Sequence, residues 1–126
     1  MSDPDQWVGR ARYDLDTARA MLGAERFLYV IFCCQQAIEK ALKALIAQRT
    51  SETPPRSHNL PASAEAAELD PDADRAELFR VLTNAYIESR YPATATPADG
   101  SVTRAEAAGV LDQTEEACEW VLSLLT

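Results

Sequence analysis

Apolar residues recur along this chain at spacings of three and four, and nowhere do they alternate with polar ones as a half-buried strand would require. The pattern predicts five helices. The first covers about residues 4–22. Asp3 stands as its N-cap, Pro4 takes the first helical position, and Ala11, Leu15, Ala18 and Leu22 form one stripe with Trp7 at its head. Asp14 lies at the edge of that stripe, where a half-buried carboxylate needs a cationic or hydrogen-bonding partner.

The second helix, about residues 26–48, is the most apolar segment and carries two stripes. Phe27, Ile31, Ile38, Leu42 and Leu45 are large, while Val30, Cys34, Ala37, Ala41 and Ala44 are small and allow close approach of a neighbour. Packing on more than one side places this helix at the centre of the fold. Its polar remainder is Gln35, Gln36, Glu39, Lys40 and Lys43, with Glu39 and Lys43 spaced for an i,i+4 pair.

Residues 49–60 break the periodicity and hold two consecutive prolines, which predicts a stiff connector. A short third helix follows over about 61–69, with Asn59 or Leu60 at its start and Asp70-Pro71 at its end. A fourth, about 74–89, turns Leu78, Val81, Leu82 and Ala85 inward. Residues 91–100 form a second proline-rich loop, and Thr103 with Glu106 makes a capping box for the fifth helix, whose inward line is Val110, Thr114, Ala117, Val121 and Leu125. The expected architecture is all-α, an antiparallel bundle of four to five helices forming one domain over 1–126.

Composition narrows the function. With 47% hydrophobic and 25% charged residues in 126, the chain is neither disordered nor low-complexity. No apolar run approaches the roughly 20 residues that span a bilayer, and the acidic start, Met1-Ser2-Asp3-Pro4-Asp5, is unlike a signal peptide, so a cytoplasmic location is expected. Three cysteines without C-x-x-C spacing and a single histidine predict neither disulfide nor metal site, and no motif calls for a cofactor. Cys33, Cys34 and Cys118 read as core filler.

The net charge of −8 is unevenly placed. Residues 1–60 carry eight Lys/Arg against seven Asp/Glu, whereas residues 61–126 carry four against thirteen. Bulk electrostatics therefore disfavour duplex nucleic acid, which is held by clustered cations, and any anionic ligand should prefer the N-terminal half.

Two polar loops concentrate the candidate chemistry. Arg56-Ser57-His58-Asn59-Leu60 offers a general base or nucleotide contact in His58; its structural reading has His58 and Asn59 satisfying backbone groups at the third helix start. Tyr86, Arg90 and Tyr91 sit where the fourth helix ends. An arginine between aromatics suits a base or a phosphate, and equally suits a structural cap. For Glu39, Lys40 and Lys43 the expectation is a structural salt bridge, with Asp14 neutralising one lysine across the two long helices; the alternative is a solvated face.

Four blocks in order carry a resemblance: Trp7, Ala11, Asp14-Leu15 and Ala18; Cys34-Gln-Gln-Ala-Ile-Glu-Lys-Ala-Leu-Lys-Ala44; Pro55-Arg-Ser-His-Asn-Leu60; and Tyr86 with Ser89-Arg90-Tyr91-Pro92. In order and spacing they resemble the HEPN domain, of the prokaryotic type encoded beside a minimal nucleotidyltransferase. The resemblance implies a helical bundle that commonly dimerises, often one half of a toxin–antitoxin pair, with a nucleotide or RNA ligand. Ribonuclease members of that family carry an arginine followed after four to six residues by histidine. Here the positions after Arg90 are Ala95, Thr96 and Pro97. The expectation is therefore a non-catalytic or weakly catalytic binding protein without the nuclease signature. Lys40, Lys43, Arg56, His58, Arg90 and Tyr91 form the ligand set, and Asp14, Glu39 and Asn59 are structural polar residues. A homodimer with a nucleotidyltransferase partner is expected. The alternatives are a metal-independent ribonuclease toxin using His58 and Arg90, and a helical adaptor with no ligand.

Overall fold

In the computed structural model, residues 3–90 and 102–126 are described, and of 88–90 only the course of the helix. The segment 91–101, including Tyr91 and the second proline-rich loop, lies outside the described residues, as does the side chain of Arg90. Among the described residues there are five helices, α1 (Pro4–Gly23), α2 (Phe27–Thr50), α3 (Leu60–Ala66), α4 (Ala73–Arg90) and α5 (Arg104–Ser123), and no strand. None of the helices is long and apolar enough to cross a membrane.

Local chemistry sets most boundaries. The Asp3 carboxylate accepts the Asp5 N–H ahead of Pro4, and Asn59 accepts from the Ala62 N–H. Asp72 accepts from the Arg75 N–H at the head of α4, and the Thr103–Glu106 capping box opens α5. Helix α3 stops three residues short of its expected end. There Glu68 takes a left-handed conformation (φ 59°), the Leu69 N–H bonds the Ala64 carbonyl, and Arg49 of α2 reaches over to the Ala67 and Glu68 carbonyls at 2.8 and 3.1 Å. That turn and its arginine clamp end α3 where periodicity alone would extend it.

Helix α2 packs against all four of the others. Every residue from Ala37 to Ala47 is buried, so the two stripes read from the sequence are two sides of one embedded rod. Ala11, Leu15 and Ala18 of α1 meet it on one side and Ala117, Cys118 and Val121 of α5 on another. Burial raises the thiols of Cys34 and Cys118 to about 12, so both are inert, protonated core residues at neutral pH.

The expected inward line of α4 needs correction. Val81 is 39% exposed, whereas Phe79 is fully buried with Leu78, Leu82 and Tyr86. Helix α4 leans on α2 and α3 together, which turns its buried face toward Phe79. In α5 the core takes Ala107, Leu111 and Cys118 in addition to Thr114, Ala117 and Val121, while Val110 and Leu125 are only half-buried.

Candidate functional site: a buried carboxylate shared by two lysines and a histidine

At mid-height of α2 one helical face is polar yet buried. Gln35, Glu39 and Lys43 are four residues apart and therefore stacked on that face, with Gln36 and Lys40 beside them. Glu39 is 1% exposed, and Lys40 and Lys43 are 8% and 9% exposed. A solvated face is thereby ruled out. A charge at such depth persists only when it is paired and hydrogen-bonded.

Glu39 is paired on both oxygens. Its Oε2 receives Lys43 Nζ at 3.1 Å and Lys40 Nζ at 3.3 Å. Its Oε1 receives Gln35 Nε2 at 3.1 Å and faces His58 Nδ1 at 2.7 Å. Gln35 Nε2 also donates to the His58 carbonyl (3.0 Å), so Gln35 holds the backbone of His58 while Glu39 holds its ring. Gln36 donates to Gln35 Oε1 and accepts from Lys40, which closes the network. Burial pushes the Glu39 carboxyl up, but the bonds from His58 and Gln35 and the charges of Lys40 and Lys43 outweigh it and hold the group below the usual glutamate range.

Around this centre lie aromatic rings. The His58 ring packs on Tyr86 of α4 with centroids 4.7 Å apart, and Phe32 of α2 stacks on Tyr86 at 5.2 Å. Lys43 Nζ lies 5.4 Å from the Trp7 ring centroid of α1, close enough for a cation–π contact. Thr83 Oγ1 of α4 accepts the Leu60 N–H at 3.0 Å and ties the loop that carries His58 to the same helix. The site thus draws on α1, α2, α4 and the 51–59 connector. A carboxylate oxygen only accepts, so Nδ1 of His58 bears the hydrogen, and in the neutral ring Nε2 is the acceptor. The His58 side chain remains 48% exposed, and it is the accessible group of the cluster.

Several expectations change here. Asp14 neutralises neither lysine: Lys40 and Lys43 both turn to Glu39, and Asp14 Oδ2 is buried without a hydrogen-bond partner. Desolvation raises the Asp14 carboxyl, only partly offset by the charges of Lys40 and Arg10, and the Glu39 charge adds to the rise. His58 and Asn59 part company. Asn59 caps α3, whereas the His58 side chain leaves the helix start and binds a carboxylate on α2. Arg56 is exposed and joins neither this network nor any ion pair among the described residues. The backbone of Arg90 ends α4 one helical turn beyond Tyr86.

Sequence reading missed Gln35 and Gln36 as members of the site, and Tyr86 as the ring beneath His58. The i,i+4 ladder Gln35–Glu39–Lys43 was visible as spacing, but its burial was not. Among the described residues no group of three or more His, Cys, Asp or Glu is placed to hold a metal ion.

The whole-chain arrangement recurs in solved structures. TT1696 from Thermus thermophilus is 31% identical, with 98% of each chain covered and a TM-score of 0.80. ST0689, an archaeal HEPN homologue, is 25% identical over the full length of both chains, also with a TM-score of 0.80. No curated protein matches the chain. The HEPN domain family model matches residues 5–124, nearly the whole chain, and with five helices in the expected order this protein belongs to the HEPN domain family.

Proposed function

We propose that this HEPN protein binds a nucleotide or a single-stranded nucleic-acid end at the His58 cluster, acts as a homodimer, and partners a minimal nucleotidyltransferase in a two-gene system of toxin–antitoxin type. The observation that carries the binding reading is an exposed imidazole set over a buried pair of lysines. Lys40 and Lys43 share the Glu39 carboxylate, with Asp14 acting on Lys40 through charge alone, beneath an exposed imidazole packed on Tyr86. Positive charge under an exposed ring suits a phosphate joined to a base, while the acidic balance of residues 61–126 turns duplex backbones away. Arg90, one turn past Tyr86, belongs to the same end of α4.

Calorimetric titration of ATP and of a short 5′-phosphorylated single-stranded RNA tests the reading, against the parent protein, His58→Ala and Arg90→Ala. Weaker binding in both variants is expected. Equal affinity in all three, or no binding by the parent at millimolar ligand, refutes it and leaves a helical adaptor. Light scattering at micromolar protein tests the dimer, and a mass near 13.8 kDa would refute it.

A second reading has its own observation. Glu39 orients His58 through Nδ1 and leaves Nε2 as acceptor, the arrangement by which a carboxylate aims a general base. This favours a metal-independent ribonuclease using His58 and Arg90. Against it stands the absence of histidine at Ala95, Thr96 and Pro97, the positions the family's nuclease signature requires.

A further inference from the structure

A groove of about 480 Å³ lies between α4 and α5. Val81 of α4, 39% exposed, and the half-buried Val110 of α5 line it with apolar surface, with the buried Leu78 at its base. Asp74 and Asp112 stand among its lining with no ion pair among the described residues. Arg75, the one lining cation among the described residues, is already held by Glu116 at 2.6 Å and by Asp72. The far flank of α4 has the same sign: the cleft between α3 and α4 is lined by Glu65, Glu68 and Asp70, with no Lys or Arg among the described residues.

An apolar floor between unneutralised acids selects its occupant. A free cation or polyamine leaves the floor wet, and a nucleic acid is repelled by the aspartates. A second copy in two-fold symmetry would bring an identical groove, with the same unneutralised Asp74 and Asp112, against this one, acid against acid. We propose that this groove docks a basic amphipathic helix of another protein, with apolar side chains on Leu78, Val81 and Val110 and lysines or arginines against Asp74 and Asp112. The proposal is independent of the ligand reading at His58.

The test uses a labelled leucine–lysine peptide of about 14 residues with helical apolar spacing, and a counterpart with glutamate in place of lysine. Fluorescence anisotropy is followed against the parent protein, Asp112→Lys, Val81→Asp and a net-charge control, Glu52→Lys, on the exposed connector. All three substituted side chains reach solvent, and circular dichroism melts confirm that each variant folds. Saturable binding of the basic peptide is expected, weakened about tenfold by Asp112→Lys and by Val81→Asp and little changed by Glu52→Lys. Equal binding of the acidic peptide, equal loss with Glu52→Lys, or unchanged binding in the groove variants overturns the proposal. A parent dimer that Val81→Asp turns into a monomer on light scattering also overturns it and assigns the groove to a second copy.

Discussion

His58 Nδ1 and Glu39 Oε1 stand 2.7 Å apart, joining a proline-stiffened connector to the middle of the most buried helix. The pair has two consequences. It fixes the imidazole on Tyr86, and it supplies Glu39 with one of the four donors that keep a carboxylate ionised at 1% exposure.

Glu39 should therefore be the costliest polar residue to replace. Glu39→Gln keeps the shape but leaves Lys40 and Lys43 buried without a counter-charge, and a loss of roughly 3–5 kcal/mol in unfolding free energy is expected from urea titration. A loss under about 1 kcal/mol would mean that the lysines escape to water.

Glu39 and Asp14 should give opposite pH signatures. The native Glu39 carboxyl lies below its ordinary value of 4.5, so its contribution is complete above that value and is lost as pH falls through the lower native one. Glu39→Gln should flatten this acid limb of the stability curve.

Asp14 has its native carboxyl raised above 3.8, so its ionised form costs stability at neutral pH, and that cost disappears as pH falls through the raised value toward 3.8. Asp14→Asn is expected to melt higher than the parent at pH 7 and at the same temperature near pH 3.5. A lower melting point at pH 7 would show that Asp14 has a stabilising partner.

The phase of α4 is testable with two neighbours. Phe79 is fully buried and Val81 is 39% exposed. Phe79→Ala should cost about 3–5 kcal/mol and Val81→Ala under about 1 kcal/mol. The reverse order would restore the face read from the sequence. As a check on the central helix, Ile38→Asp buries an unpaired carboxylate at a position with no exposure and should prevent folding, seen as loss of the cooperative circular dichroism melt.

Total RNA incubated with the purified protein in EDTA should stay intact. Arg90 has no histidine after it at the signature spacing, and His58 reaches the α4 face from a different loop. Robust cleavage that both His58→Ala and Arg90→Ala abolish would reverse the order of the two functional readings.

What the sequence determined by itself is local. Asp3 ahead of Pro4, Asn59, and Thr103 with Glu106 are helix-start chemistry written within four residues, and the structure uses each of them. The doubled stripe on α2 likewise forced a central position, because two apolar faces require neighbours on two sides. The family is legible for the same reason: its blocks are short runs whose order survives without coordinates.

Tertiary structure decided the rest. A helical face bearing Gln35, Glu39, Lys40 and Lys43 has the same periodicity whether water or protein covers it, and only the return of the 51–59 connector and the approach of α1 and α4 bury it. Once it is buried, ionisation depends on which donors arrive. Glu39 receives four and is held charged, while Asp14, equally plausible as the lysines' partner by spacing, receives none at its buried oxygen. The same limit explains Phe79. Residues one position apart on a helix differ by about 100° in direction, and the choice between Leu78–Val81 and Leu78–Phe79 as the inner face belongs to the helices it meets, since burial is a property of the assembled surface and not of the chain that supplies it.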